Sequence, residues 1–149
     1  MKNKTKSEYW LKMAEEELKD AAIDLENNRF PSSVFHSQQC CEKVCKAILS
    51  FMGIEPGKTH FPSSVIELMV IRGNKYKLKN IELELLEKIV ALSRILESQK
   101  EFPRYGWETV DRIIMPIEIY DADKSKLLFK NAAEVMKLGE SFLSRFESK

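Results

Sequence analysis

A chain of 149 residues, 44% of them apolar, with no low-complexity run, can bury one core without staples and is read as a single domain over residues 1–149. Its 24 basic and 23 acidic residues leave a formal net charge of +1, which excludes a strongly polycationic nucleic-acid binder and leaves room for a local basic patch. No window approaches the roughly 18–20 apolar residues of a membrane span, the N-terminal MKNKTKSEYW leads into no apolar stretch of signal length, and the three cysteines all fall between Cys40 and Cys45, so a cytoplasmic protein with no membrane contact is expected.

Leu11, Ala14, Leu18, Ala21 and Leu25 recur at intervals of three and four, which predicts a first helix over 7–27 with Ser7 as cap and Glu8 near its positive end. Asn27 to Phe30 form a short turn, and Pro31 suits the first turn of the next helix because its missing N–H would be unpaired there. So short a turn makes the pair an antiparallel hairpin. The second helix runs to Gly53, whose freedom to take the left-handed conformation ends it. On helical geometry Val34, Ser37, Cys41, Cys45, Ile48 and Met52 share one face, Gln39, Glu42, Lys43 and Lys46 gather opposite, and Phe35 and Leu49 border the polar side. Apolar residues beyond the core stripe predict a central helix, with Phe35 available to a partner chain. On their own, Glu42 and Lys46 are an i,i+4 pair that would support a solvated helix by roughly 0.2–0.5 kcal/mol.

Ser63 or Ser64 caps a shorter helix carrying Val65, Leu68, Met69 and Ile71, terminated by Gly73 and Asn74. The basic run Arg72, Lys75, Lys77, Lys79 then reads as a solvated turn, since Glu82 and Glu84 follow at once. Asn80 caps a fourth element in which Leu86, Ile89, Val90, Ser93 and Leu96 form the buried stripe, ending near Gln99. From Lys100 to Tyr120 periodicity fades and Pro103, Gly106 and Pro116 interrupt it. Trp107, Ile113, Ile114, Met115 and Ile117 are too apolar for a solvent-filled loop, so a packed or functional segment is expected. Asp121 or Asp123 caps the last helix, with Phe129, Ala132, Ala133, Met136, Phe142, Leu143 and Phe146 on its core side. The fold class is therefore all-α: an antiparallel up-and-down bundle of four long helices plus a short one.

The chemistry-bearing residues are few. His36 with Cys40, and Cys41 with Cys45, lie about 140° apart around one helix, poorly placed for one tetrahedral ion, so the cysteines read as small core filling, Cys40 facing the more exposed side, and no metal is assigned. Arg104 offers a planar fork for phosphate, Tyr105 and Trp107 offer stacking faces, and Lys100 lies beside them. An equal reading packs Tyr105 and Trp107 onto the bundle and pairs Arg104 with Glu101 or Glu108. No glycine-rich phosphate loop and no paired-carboxylate metal pattern occurs, so the chain does not read as a nucleotidyl-group transferase itself, and no cofactor is assigned.

The run FHSQQCCEKVCKAIL from Phe35 to Leu49, with Gln38, Gln39, Glu42, Lys43, Lys46, Ala47 and Leu49 in register, resembles the central-helix motif of HEPN domains, the "higher eukaryotes and prokaryotes nucleotide-binding" family. Met13-Ala14 through Asp24-Leu25-Glu26 with Asn28 and Phe30 is similar to that family's first helix and turn. Gly53 and His60 stand where the family has a glycine and a histidine. Leu96-Glu97, Pro103-Arg104-Tyr105 and the stretch from Tyr120 to Ala133 resemble its later blocks. Catalytic members resemble metal-independent endoribonucleases that carry Arg-x(4–6)-His at the start of the last helix. Here no histidine follows His60, and the spacing Arg29-x(6)-His36 falls between the first two helices, outside the family pattern.

The resemblance implies a non-catalytic nucleotide- or RNA-associated binding and dimerising subunit working beside a minimal nucleotidyltransferase, as in some toxin–antitoxin pairs. Lys100, Arg104, Tyr105 and His60 would meet the ligand, and Phe35, Gln39, Glu42, Lys43 and Lys46 would form the motif and homodimer surface. Two alternatives fit the same residues: an endoribonuclease with a departed motif using Arg104, Tyr105 or His60, and a purely structural interaction module.

Overall fold

The computed structural model of the chain describes residues 2–147. Four long helices carry the fold: α1 (Lys4–Glu26), α2 (Phe30–Phe51), α5 (Asn80–Glu97) and α8 (Ala122–Ser144). Between them lie α3 (Ser63–Ile71) and three single-turn helices, α4 (Gly73–Tyr76), α6 (Phe102–Tyr105) and α7 (Pro116–Ile119). A two-stranded hairpin, β1 (Trp107–Glu108) antiparallel to β2 (Ile113–Ile114), pairs Trp107 with Ile114 and Glu108 with Ile113. The all-α bundle expected from periodicity is thus the architecture found, and no helix among the described residues is long and apolar enough to cross a membrane.

Helix α2 is the axis of the bundle, touching α1, α3, α5, α6, α7 and α8. Val34, Cys40, Cys41, Val44, Cys45, Ala47, Ile48 and Leu49 are all buried in the core, so apolar residues surround it on more than one side. Its approach to α8 is close: a Cβ added to Gly139 would collide with Val44 Cγ1. Asn28 turns the chain from α1 into α2 at φ 59, and Pro31 occupies the first turn of α2 as expected.

Several local expectations need correction. Asn3, not Ser7, caps α1, accepting from the Lys6 N–H at 2.9 Å; Ser7 is buried and its hydroxyl donates to the Ala47 carbonyl at 2.7 Å. Ser63 lies inside α3, where Ile66 and Met69 are buried while Leu68 and Ile71 face solvent. Gly73 does not simply end that element but opens α4, with little room beside Leu83. Cys40 is fully buried, not exposed, because α1 covers that side of α2. The segment from Lys100 to Tyr120 is not a packed loop. It folds into α6, the hairpin and α7, and leaves Trp107, Val110, Ile113, Met115 and Ile117 exposed.

Candidate functional site

The site begins with an amide. The Gln38 side-chain N–H group donates to the carbonyls of Leu96 at 3.0 Å and Lys100 at 2.9 Å, satisfying backbone acceptors where α5 ends. Lys100 takes the left-handed conformation there, at φ 51, and turns the chain into α6. Helix α6 is started by Pro103 in its first turn and is too short to be read from periodicity, yet it places Arg104 and Tyr105 against α2. The Arg104 guanidinium carbon lies 5.2 Å from the Phe35 ring centre and 5.3 Å from that of Tyr105. Among the described residues neither Arg104 nor Lys100 forms an ion pair, so the alternative pairing of Arg104 with Glu101 or Glu108 is absent. Tyr105 and Trp107 are exposed, Trp107 only leaning towards Phe102 at 6.2 Å between ring centres.

Across from Arg104, α2 presents Glu42. One of its carboxylate oxygens lies 2.9 Å from His60 Nδ1, and the other accepts from Lys46 Nζ at 3.3 Å. The side chains of Glu42 and Lys46 are only 10% and 7% exposed, whereas that of His60 is 76% exposed. Lys46 Nζ also sits 5.2 Å from the Trp10 ring centre. The solvated i,i+4 pair expected from spacing is therefore a buried one: α1 packs on the polar side of α2 and shuts out water. Such a pair balances heavy desolvation against its mutual attraction, so its role is to orient more than to stabilise. Here it holds the Glu42 carboxylate towards His60.

These elements enclose a cleft of about 280 Å³. Phe35, Gln38, Gln39 and Glu42 line it from α2, His60 and Phe61 from the loop before α3, and Glu97, Lys100, Glu101 and Arg104 from the far side. The Glu97 carboxyl is raised above the usual carboxylate range chiefly by burial, an effect opposed by Ser63, whose hydroxyl donates at 2.6 Å and whose N–H donates at 3.2 Å.

Six of the residues singled out in the sequence thus line one cleft: Phe35, Gln39, Glu42, His60, Lys100 and Arg104. Tyr105 stacks just outside it. Lys43 and Lys46 do not join them, which corrects their placement on an accessible motif surface. Lys43 Nζ donates to Glu17 at 3.2 Å, and Lys46 is sealed beneath α1. His36 also turns to α1, its Nδ1 lying 3.3 Å from Glu17, so it lines no part of the cleft. Gln38, Phe61, Glu97 and Glu101 were not assigned a ligand role from the sequence. Gln38 and Glu97 carried a signal there as parts of the family blocks, and Glu101 only as a possible partner of Arg104.

The cysteines are unsuited to chemistry. All three are free and buried, and desolvation pushes the Cys40 and Cys45 thiols up to about 12. Among the described residues one grouping, Glu17, Asp20 and His36, has ligand atoms within 4.8 Å of one another, but the Lys43 ammonium already occupies Glu17.

A family model described as HEPN domain matches residues 7–142. A protein from Methanocaldococcus jannaschii named "Putative toxin MJ1304" is 34% identical over 140 residues, spanning 92% of this chain and 88% of its own length. Among solved structures, that titled "Crystal Structure of ST0689, an archaeal HEPN homologue" superimposes with a TM-score of 0.63 over 92% of this chain and 97% of its own, at 24% identity, a likeness of fold.

Proposed function

Because the chain belongs to the HEPN domain family, we propose that it is a nucleotide- or RNA-binding, dimerising HEPN subunit whose ligand phosphate is held by Arg104 and Lys100 in the cleft on α2. One observation carries this reading: Arg104 is fixed near two aromatic rings with no carboxylate partner among the described residues, the state of a guanidinium free for an external anion. Phe35, Phe61 and Tyr105 add faces on which a base can stack. At the last helix the Arg-x(4–6)-His motif is missing, since His60 is the last histidine, which favours binding over cleavage. The name of the methanocaldococcal relative supports a toxin–antitoxin setting, and a minimal nucleotidyltransferase is the partner we propose in it. We place the protein in the cytoplasm and its homodimer contact on the exposed hairpin residues Trp107, Val110 and Ile113.

The test is a thermal-shift titration with ATP, GTP and short RNA. Saturable stabilisation should appear and should vanish in Arg104→Ala while persisting in Arg72→Ala. The Glu42–His60 contact favours one second reading, a metal-independent ribonuclease in which His60 moves a proton. RNA cleavage in EDTA that is lost in both His60→Ala and Arg104→Ala would establish it.

A further inference from the structure

Arg104 stands on a ridge between two cavities. On one side is the cleft of about 280 Å³; on the other is a larger groove of about 530 Å³, and Phe35 and Arg104 line both. We infer that the two form adjoining subsites for one single-stranded oligonucleotide of at least two nucleotides, with Arg104 gripping the phosphate that joins them. This rests on the binding function proposed for the cleft and deepens it by naming the ligand's class.

The groove's own chemistry supports this occupant. Its floor is apolar, formed by Pro103, Met115, Pro116 and Ile117, and its only charged lining residues are Arg29 and Arg104. Neither arginine makes an ion pair among the described residues. An apolar protein helix laid there would strip water from two unpaired guanidinium groups, which is costly. A nucleotide presents what the groove complements: a flat base for the apolar floor and phosphates for the arginines. The cleft differs, with Glu42, Glu97 and Glu101 beside Lys100 and Arg104, so its cationic end lies at the ridge. A phosphate at that end, on Arg104, also faces the groove. The sequence places Arg29 in the turn before α2, far from Arg104 in the chain, and folding brings both to one surface.

The test compares affinities by isothermal titration at fixed salt for nucleoside monophosphates, 5′-phosphorylated dinucleotides and tetranucleotides, in adenosine and uridine series. Affinity should rise about fivefold to a hundredfold from one nucleotide to two, the range of one added stacked base, and less thereafter. Arg29→Ala and Ile117→Asp, both at exposed positions, should erase that gain and leave monophosphate affinity within about twofold. Arg104→Ala should weaken every ligand. Monophosphates that bind as tightly as dinucleotides would overturn this inference alone, whereas no binding by any of them would overturn the cleft's binding function too. Dissociation of a dimer by Ile117→Asp with the length dependence intact would assign the groove to a second copy and equally overturn it.

Discussion

Glu42 is the residue on which the site's geometry turns, because its two oxygens serve different masters: Lys46 in the interior and His60 at the rim. Removing one partner of a buried pair leaves the other charge stranded, so Lys46→Met should destabilise the fold by about 3–5 kcal/mol, and the double variant with Glu42→Gln should cost less. Urea midpoints of the two variants decide this, and equal losses would refute the pairing as the reason. Glu97 supplies a pH dependence of definite sign. Its folded pKa is raised, so its contribution to stability is fully present below the ordinary carboxylate range and is lost as pH rises through the folded value. Glu97→Gln should therefore gain relative to the parent as pH rises above the ordinary carboxylate range; a gap that does not change with pH would count against it. The cysteines should resist a thiol reagent in the native state at about pH 8 and all react on unfolding, since desolvation keeps them protonated.

At the scale of elements, the long helices were legible because each carries an apolar stripe that only its period could produce. Val90, Ser93 and Leu96 of α5 are buried where the spacing placed them. What escaped was set by neighbours. The Glu42–Lys46 stripe looks solvated on a single helix, and only the packing of α1 over it buries the pair. Between Lys100 and Tyr120 no period exists to read, because α6, the hairpin and α7 are held by local turns and tertiary contact. Gly106, at φ 70, passes so near the Ile114 carbonyl that a Cβ there would clash. The residues of the cleft were legible by type, through the family motif and the Pro103-Arg104-Tyr105 block, whereas their convergence was not. The α2–α8 crossing offers a test: Gly139→Ala gains helix propensity of about 1 kcal/mol but forces Val44 aside, which typically costs about 1–3 kcal/mol. It should destabilise the parent yet stabilise a Val44→Ala background, a reversal that would not occur if α2 and α8 were loosely packed.

For the molecule as a whole, a net charge of +1 means that binding must come from placement, not from bulk attraction. Among the described residues the lysines and arginines lining the two cavities are Arg29, Lys100 and Arg104, so the logarithm of the binding constant should fall with the logarithm of salt at a slope near about −2, far shallower than for a basic nucleic-acid sponge. Trp107, Val110 and Ile113 are exposed, and if they form the dimer contact Val110→Asp should halve the solution mass, leave the helical content unchanged, and remove the concentration dependence of the thermal midpoint. Helix α2 links these features: its core face organises the bundle, its amide at Gln38 fixes the turn carrying Lys100, and Phe35 braces Arg104. The measurement that tests this account most directly is the thermal-shift titration with short RNA, parent against Arg104→Ala. The account predicts a saturable rise in the parent and none in the variant, whose own midpoint stays unchanged; no rise in the parent, or an equal rise in both, would contradict it.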